Sequence, residues 1–343
     1  MRAVIWEGPG KLAVKEVPVP RPAADEVLIE TKAVGICGTD VEIFEGRHEQ
    51  SQPPLIIGHE GAGVVREVGE SVINLKEGDR VVVSPIVYCG VCQCCLRSRY
   101  SLCDNLRVIG IKDYPGEYAE FFVAPERNCF KLPDGMEWES SALVDTLAGP
   151  ITALQRLGAL LGAKVAVFGP GPAGLFFTRL SKVWGASEVY LVGTRNERLR
   201  LGTQYGADLT VNVREENAVR VIREQTRGEG VDVAIEAAGS AKALREGLEV
   251  LRKGGTLLVY GVLGEKLASI DFQDLLLREL TLFGVADNTQ GYPLAIHLIH
   301  SSVVPVKPLL THVIKLSELP DFFNCGTIQK RKEGYIKGVV SLW

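Results

Sequence analysis

A chain of 343 residues exceeds the size at which a single hydrophobic core stops growing, about 250–300 residues, so two domains are expected. With 46% hydrophobic and 23% charged residues, and 38 lysines and arginines against 42 acids, the composition is that of an ordinary globular protein and offers no basic face to nucleic acid. No apolar run approaches the ~18 residues of a membrane span, and glycine follows no collagen-like period, so membrane-spanning, disordered and fibrous classes fall away.

The opening residues, MRAVIWEGPGKLAVKEV, show neither the charged head and apolar run nor the small-residue cleavage site of a secretory signal, and a cytoplasmic location is expected. Residues 1–145 read as strands and turns. VLIETKAVGI, EGAGVVREVG and DRVVVSP are short β-branched stretches broken by glycine turns. Pro18, Pro20 and Pro22 mark a loop or edge, because proline cannot donate into a central ladder. A small antiparallel barrel or sandwich is predicted. From KVAVFGPGPAGLFFTRLSKVWGA onward the pattern changes. The apolar strands EVYLVG, DLTVNV, VDVAIEAAG and GGTLLVYGVLG alternate with helical stretches such as AVRVIREQTR and AKALREGLEVLRK. That alternation predicts a parallel sheet covered on both faces. The division expected is 1–146, 147–287 and 288–343. The last segment holds a helix near YPLAIHLIHSS and a strand in GYIKGVVSLW, which returns to the first domain because a lone strand cannot hide its edges.

Five of the eight cysteines crowd between positions 89 and 103. Cys89, Cys92, Cys95 and Cys103 stand as C-x2-C-x2-C-x7-C, and four thiolates in one excursion can surround a Zn²⁺ ion at ~2.3 Å per sulfur. Cys94 competes for a place in the set. Free or disulfide-linked cysteines, an iron–sulfur centre and a zinc ribbon on nucleic acid are the alternatives, the last supported only by Arg97, Arg99 and Arg107. A second set is chemically mixed. CGTD carries Cys37, Thr39 and Asp40, and GHEGAG carries His59 and Glu60. Thiolate, imidazole and carboxylate together suit a catalytic zinc with an exchangeable position, and Asp145 in ALVDTLAGP is a further candidate ligand. Taken singly, Cys37 reads as a small hydrophobe and His59–Glu60 as a satisfied turn pair. In company with the four-cysteine lobe and a dinucleotide turn they point to a metal.

That turn is Gly169, Gly171 and Gly174 in VAVFGPGPAGLFF, a G-x-G-x-x-G run between a strand and a helix. Its first two glycines allow a tight turn and close approach to a pyrophosphate, and the third allows close helix packing. An NAD site usually ends the next strand with an acid for the ribose 2′-hydroxyl. Here EVYLVG ends in Gly193, followed by Thr194 and Arg195, with Arg198 a turn onward. Absence of the carboxylate and presence of arginine favour NADP, with NAD possible. The alternative is a solvated arginine face with an acid supplied from elsewhere.

GHEGAGVVREVG, CGTD, the four-cysteine lobe and GPGPAG occur in an order that resembles the zinc-containing medium-chain alcohol dehydrogenases, in the branch of sorbitol, threonine and related polyol dehydrogenases. The resemblance runs over essentially the whole chain. It implies an α/β protein with a β-rich, GroES-like catalytic domain at 1–146, a Rossmann doubly wound parallel sheet at 147–287, and a segment at 288–343 returning to the first domain. It implies two zinc ions per chain, a catalytic one at Cys37, His59 and Glu60 and a structural one at Cys89, Cys92, Cys95 and Cys103. Asp145 falls where sorbitol-type relatives have Glu and threonine-type relatives have Asp. Asp40 resembles the acid that orients the zinc-bound histidine, and Thr39 the hydroxyl that passes on the substrate proton. Two departures follow. Glu42 stands where many relatives carry a relay histidine, and Gly193–Thr194–Arg195 resembles the NADP-dependent pattern. The activity implied is reversible hydride transfer between a secondary alcohol or small polyol and NADP, giving a ketone or aldehyde. A homotetramer is expected, with a dimer as the alternative. Oxidation of L-threonine or another aminoalcohol, a zinc-independent quinone or enone reductase, and a non-catalytic zinc-stabilised NADP-binding protein are the competing readings. Phe44 reads equally as pocket wall and as core.

Overall fold

The computed structural model describes residues 1–262, 270–326 and 334–342. They fall into two compact units, Met1–Ala148 with Asp287–Trp343, and Gly149–Ala286.

The first unit is built on a mainly antiparallel sheet. Its strands run in the order Cys129–Lys131, Arg80–Val83, Gly61–Val68, Glu26–Ile36, Lys337–Ser341 and Leu310–Lys315, with Phe121–Pro125 also paired to Glu26–Ile36. The register decides where the chemistry sits. Val34 pairs with Gly61, and Gly338 pairs with Ile36. Cys37, which follows the Glu26–Ile36 strand, His59 and Glu60, which precede Gly61, and Lys337, which opens its own strand, are thereby brought to one end of three neighbouring strands. β-Branched residues fill this sheet because they pack well on a pleated surface. Val27, Ile29, Val65, Val81, Val83 and Phe122 form one apolar cluster; Val34, Ile36, Ile43, Ile57, Tyr118 and Phe323 belong to another. Each such side chain contributes ~1.5–3 kcal/mol when fully buried. Phe44 is part of the second cluster, edge-on to Phe323 at 5.3 Å, and so belongs to the core.

The second unit is a six-stranded parallel sheet ordered Leu209–Asn212, Glu188–Gly193, Lys164–Phe168, Val231–Glu236, Leu251–Val259, Thr281–Gly284. In the unit's own chain order this is 3-2-1-4-5-6, the doubly wound arrangement. Its central strands are buried almost without interruption, as covered faces require. The helices start at polar caps. The Asn217 side chain accepts from the Arg220 N–H at 2.8 Å, and the Ser240 hydroxyl from the Ala243 N–H at 3.1 Å. Among the described residues no helix is long and apolar enough to cross a membrane.

Candidate metal centres and dinucleotide site

Cys37 caps the helix Gly38–Phe44, and its backbone N–H donates to Asp40 Oδ2 at 2.9 Å. Asp40 has no exposed surface; it receives the Tyr118 hydroxyl at 2.8 Å, and its Oδ1 lies 3.4 Å from His59 Nδ1. Burial opposes charging of Asp40, but His59 and the hydrogen bonds from Cys37 and Tyr118 outweigh it and keep its pKa below the usual range. Burial likewise opposes charging of His59, and Asp40 and Cys37 reverse the effect. Ligand atoms of Cys37, His59 and Glu60 lie within 4.8 Å of one another. One thiol, one imidazole and one carboxylate, the last two buried and the thiol half-buried, suit zinc with a position to spare. With Nδ1 turned to Asp40, His59 has Nε2 to offer.

Glu60 is also half of an ion pair that sequence reading missed. Lys337 Nζ lies 2.8 Å from its Oε1, Thr146 Oγ1 donates to the same oxygen at 3.1 Å, and Lys337 is 3% exposed. Gly35 makes room for this carboxylate, since a Cβ there would lie 1.9 Å from Glu60 Oε2. Asp145 stands apart from the converging donors. It sits on the helix Val144–Leu157, and its Oδ1 receives the Tyr292 hydroxyl at 2.5 Å and the Asn288 amide at 2.6 Å. Burial, reinforced by Glu60, pushes its pKa up to about 7. Glu117 was also missed: it is fully buried against Gly61, and neither carboxylate oxygen makes a hydrogen bond among the described residues. Burial holds its pKa well above the ordinary value.

Thr39 Oγ1 is 3.6 Å from Cys37 Sγ, and Glu42 is half-buried on the same short helix. Beyond it lies His48, the third residue passed over. Its Nδ1 is 3.0 Å from Ser51 Oγ, whose proton goes to the Ile111 carbonyl at 2.8 Å, so Nδ1 carries the ring proton and Nε2 of the neutral ring is an acceptor. Burial favours that neutral form, against the pull of Glu42. Only its position eleven residues after Cys37 in a histidine-poor chain could have drawn attention to it.

The cysteine lobe gathers Cys89, Cys92, Cys95 and Cys103, again within 4.8 Å, with all four thiols free of disulfides. Sulfur separations of 3.5 Å for Cys92–Cys95 and 3.9 Å for Cys89–Cys95 bracket the edge of roughly 3.8 Å that ~2.3 Å zinc–sulfur bonds impose on a tetrahedron. Backbone N–H groups of Cys92 and Cys89 point at the sulfurs of Cys89 and Cys103. Backbone hydrogen bonds from Asp104 and Cys95 lower the Cys92 pKa to about 6, whereas burial raises Cys95 to about 12. Cys94 lies outside the set.

In the second unit, Gly169 has φ +105° and Gly174 packs so closely that a Cβ would lie 1.8 Å from the Gly169 carbonyl. Gly171 faces open space and caps the helix Pro172–Val183, so its amide end is accessible to a pyrophosphate. Gly193 is buried at its strand end, Thr194 is exposed, Arg195 is half-buried as the cap of the helix Asn196–Gln204, and Arg198 is 6% exposed. An acid does stand nearby: Glu215 receives the Asn212 amide at 2.7 Å and the Asn196 amide at 3.1 Å.

Residues 23–134 match the alcohol dehydrogenase GroES-like domain family, and residues 172–301 match the zinc-binding dehydrogenase family. Sorbitol dehydrogenase of Bacillus subtilis is 32% identical over 324 residues, covering 94% of this chain and 92% of that protein. D-arabitol-phosphate dehydrogenase of Enterococcus avium is 32% identical over 330 residues, 94% of each chain. Among solved structures, a zinc-binding dehydrogenase from Sinorhizobium meliloti bound to NADP superposes with a TM-score of 0.92 at 32% identity, covering 99% of both chains.

Proposed function

The chain belongs to the zinc-binding medium-chain dehydrogenases, related to the sorbitol and polyol dehydrogenases, and from that premise we propose that it interconverts a secondary alcohol or small polyol and its carbonyl product, with NADP preferred over NAD. It is a zinc-dependent oxidoreductase that uses NAD(P) for reversible hydride transfer. The observation that carries the reading is the convergence of half-buried Cys37 with buried His59 and Glu60, and of Asp40 against the histidine. When bound, zinc supplies a Lewis acid and the nicotinamide supplies or accepts the hydride. Cys37, His59 and Glu60 hold the metal, and Asp40 fixes the ring of His59. Thr39, beside Cys37, takes the proton of the substrate hydroxyl, and Glu42 and the acceptor nitrogen of His48 carry it outward. Asp145, whose Oδ1 is taken by Tyr292 and Asn288, would join the ligand set through its other oxygen. The closed cysteine site ties down residues 89–103 and has no part in the redox chemistry.

Gly169, Gly171 and the helix after them cradle the pyrophosphate, and Gly174 lets that helix pack close. Arg195, with Arg198 in support, pairs with the 2′-phosphate, and the NADP-bound relative supports this choice. The polyol class rests on the sorbitol and arabitol-phosphate relatives. Assembly into a homotetramer, or a dimer, is supported by two exposed apolar sets: Val91, Leu96 and Leu102 on the cysteine lobe, and Phe272, Leu276 and Leu277 beside the edge strand Thr281–Gly284. A reduced thiol cluster suits the cytoplasm.

The test is a panel of secondary alcohols, polyols and L-threonine, each run with both cofactors, on the parent and Arg195→Ala. One charge-assisted contact contributes roughly 1.5–3 kcal/mol, so the substitution lowers the NADP-to-NAD preference by about one to two powers of ten. A parent that prefers NAD about tenfold or more, with a ratio indifferent to Arg195→Ala, refutes the NADP reading. Full turnover after complete metal removal refutes the zinc mechanism.

A further inference from the structure

Gly193 stands where an NAD site usually places its acid, but the space beside its Cα is occupied. A Cβ at position 193 would lie 2.4 Å from Pro170 Cγ and 2.5 Å from Pro170 Cδ, with Leu199 Cδ2 at 3.3 Å. Carbon atoms in contact normally stand ~3.5–4.0 Å apart. Leucine can turn its side chain away; a proline ring can only change its pucker, which shifts Cγ but leaves Cδ close to its place. Pro170 is itself buried, and it is flanked by Gly169 at φ +105° and by Gly171, so displacing its ring displaces the turn that faces the pyrophosphate. Gly193 is absent from the residues with positive φ, so its backbone does not require glycine. Glycine is there for space alone.

We infer that Pro170 determines cofactor specificity by acting through position 193: its ring fills the place from which a strand-end carboxylate would reach the adenosine ribose. The dinucleotide turn therefore enforces the absence of the acid that marks an NAD site, and one substitution is not enough to install it. This deepens the NADP reading and rests on the same turn, but it stands or falls on a separate quantity, the coupling between residues 170 and 193.

The experiment is a double-mutant cycle read as dinucleotide binding, by fluorescence titration of NADPH and NADH into the zinc-loaded parent, P170A, G193A, G193D, P170A/G193A and P170A/G193D, with thermal melting of each. On the parent background, Gly193→Ala weakens both dinucleotides about tenfold or more, although it adds no charge. In the P170A background the same change costs about threefold or less, and P170A/G193D binds NADH about tenfold more tightly than G193D. Should the single variants fail to fold, restored melting and NADH binding in the double variants establish the same coupling. Normal binding by G193A, or double variants as impaired as the singles, overturns the inference. The parent's own NADPH-to-NADH ratio tests the cofactor reading separately, since the coupling holds whichever dinucleotide the parent prefers.

Discussion

Replacing Lys337 with methionine removes the counter-charge of a carboxylate that has no access to water. Lys337 is 3% and Glu60 1% exposed, with Nζ 2.8 Å from Oε1. Without the ammonium, Glu60 retains from this group of contacts the Thr146 hydroxyl at 3.1 Å. Breaking a buried pair in this one-sided way costs ~3–5 kcal/mol. For a unit of about 200 residues each kcal/mol lowers the melting temperature by about 2–4 °C, so Lys337→Met lowers it by roughly 6–20 °C. Removing both charges, in K337M/E60Q, recovers most of the loss, because no uncompensated ion is left behind. Zinc offers Glu60 another cation, so the deficit is larger in chelated than in zinc-loaded protein. Burial works against the charge on Lys337, yet Glu60 outweighs it and raises the lysine pKa. A raised lysine pKa contributes stability that is complete below the unfolded value, about 10.4, and is lost only as pH climbs through the folded value. The deficit is therefore constant between about pH 6 and 9. Urea and thermal unfolding with and without chelator measure it. A loss under ~1 kcal/mol, or a double variant as unstable as the single, refutes the reasoning.

Metal analysis is expected to find two zinc ions per chain, with Cys37→Ser and His59→Ala abolishing turnover while melting stays near that of the parent, and Cys92→Ser lowering the melting temperature through loss of the closed site. Melting that ranks these variants the other way would reverse the two assignments. Glu42→Gln shifts the pH profile of turnover while NADPH binding stays close to the parent's, and His48→Asn shifts it further; profiles that superimpose exclude both residues from proton transfer. Glu117 has a folded pKa raised by burial, so its carboxylate costs nothing below the unfolded value near ~4.3 and progressively more as pH rises toward the folded value. Glu117→Gln accordingly melts with the parent near pH 4 and above it at pH 8, by ~1.4 kcal/mol for each tenfold gain in proton affinity that burial confers on the carboxylate; an advantage equal at both pH values contradicts the burial argument.

Much of this was legible because it is written in short-range pattern. Strand–turn–helix order around GPGPAG, the alternation that follows it and the C-x2-C-x2-C-x7-C spacing are local signals, and they led to the doubly wound sheet and the four-sulfur cluster. What escaped depends on pairings between distant segments. Lys337 meets Glu60 only because Gly338 is in register with Ile36, and Glu117 lies over Gly61 only because the turn before Tyr118 folds back on Ile57 and Gly58. Asp145 is a candidate ligand from its place in ALVDTLAGP and from the resemblance, while the Tyr292 and Asn288 hydrogen bonds to its Oδ1 come from a segment with no sequence mark of that duty. His48 sits in a polar loop without periodicity. Gly193 is the reverse case: the residue stands out in the sequence, but the closeness of Pro170, at the end of the neighbouring strand, does not.

The placement of the Lys337–Ser341 strand between Glu26–Ile36 and Leu310–Lys315 has a consequence for biosynthesis. Ala33 to Ile36 leave the ribosome with no partner for that part of their edge, and Gly338 to Ser341 are made some 300 residues later. At about 5–20 residues per second the wait is roughly 15–60 s. The second unit, encoded entirely within the gap, has all its own strands at hand once Gly284 is made and can finish first. Glu60 meanwhile lacks its lysine, so the nascent site has an excess of negative charge and is at its most receptive to a divalent cation. The late strand then brings in the ammonium that neutralises this excess, so the chain is most inviting to metal before Lys337 is made, and the pairing of that strand closes the period.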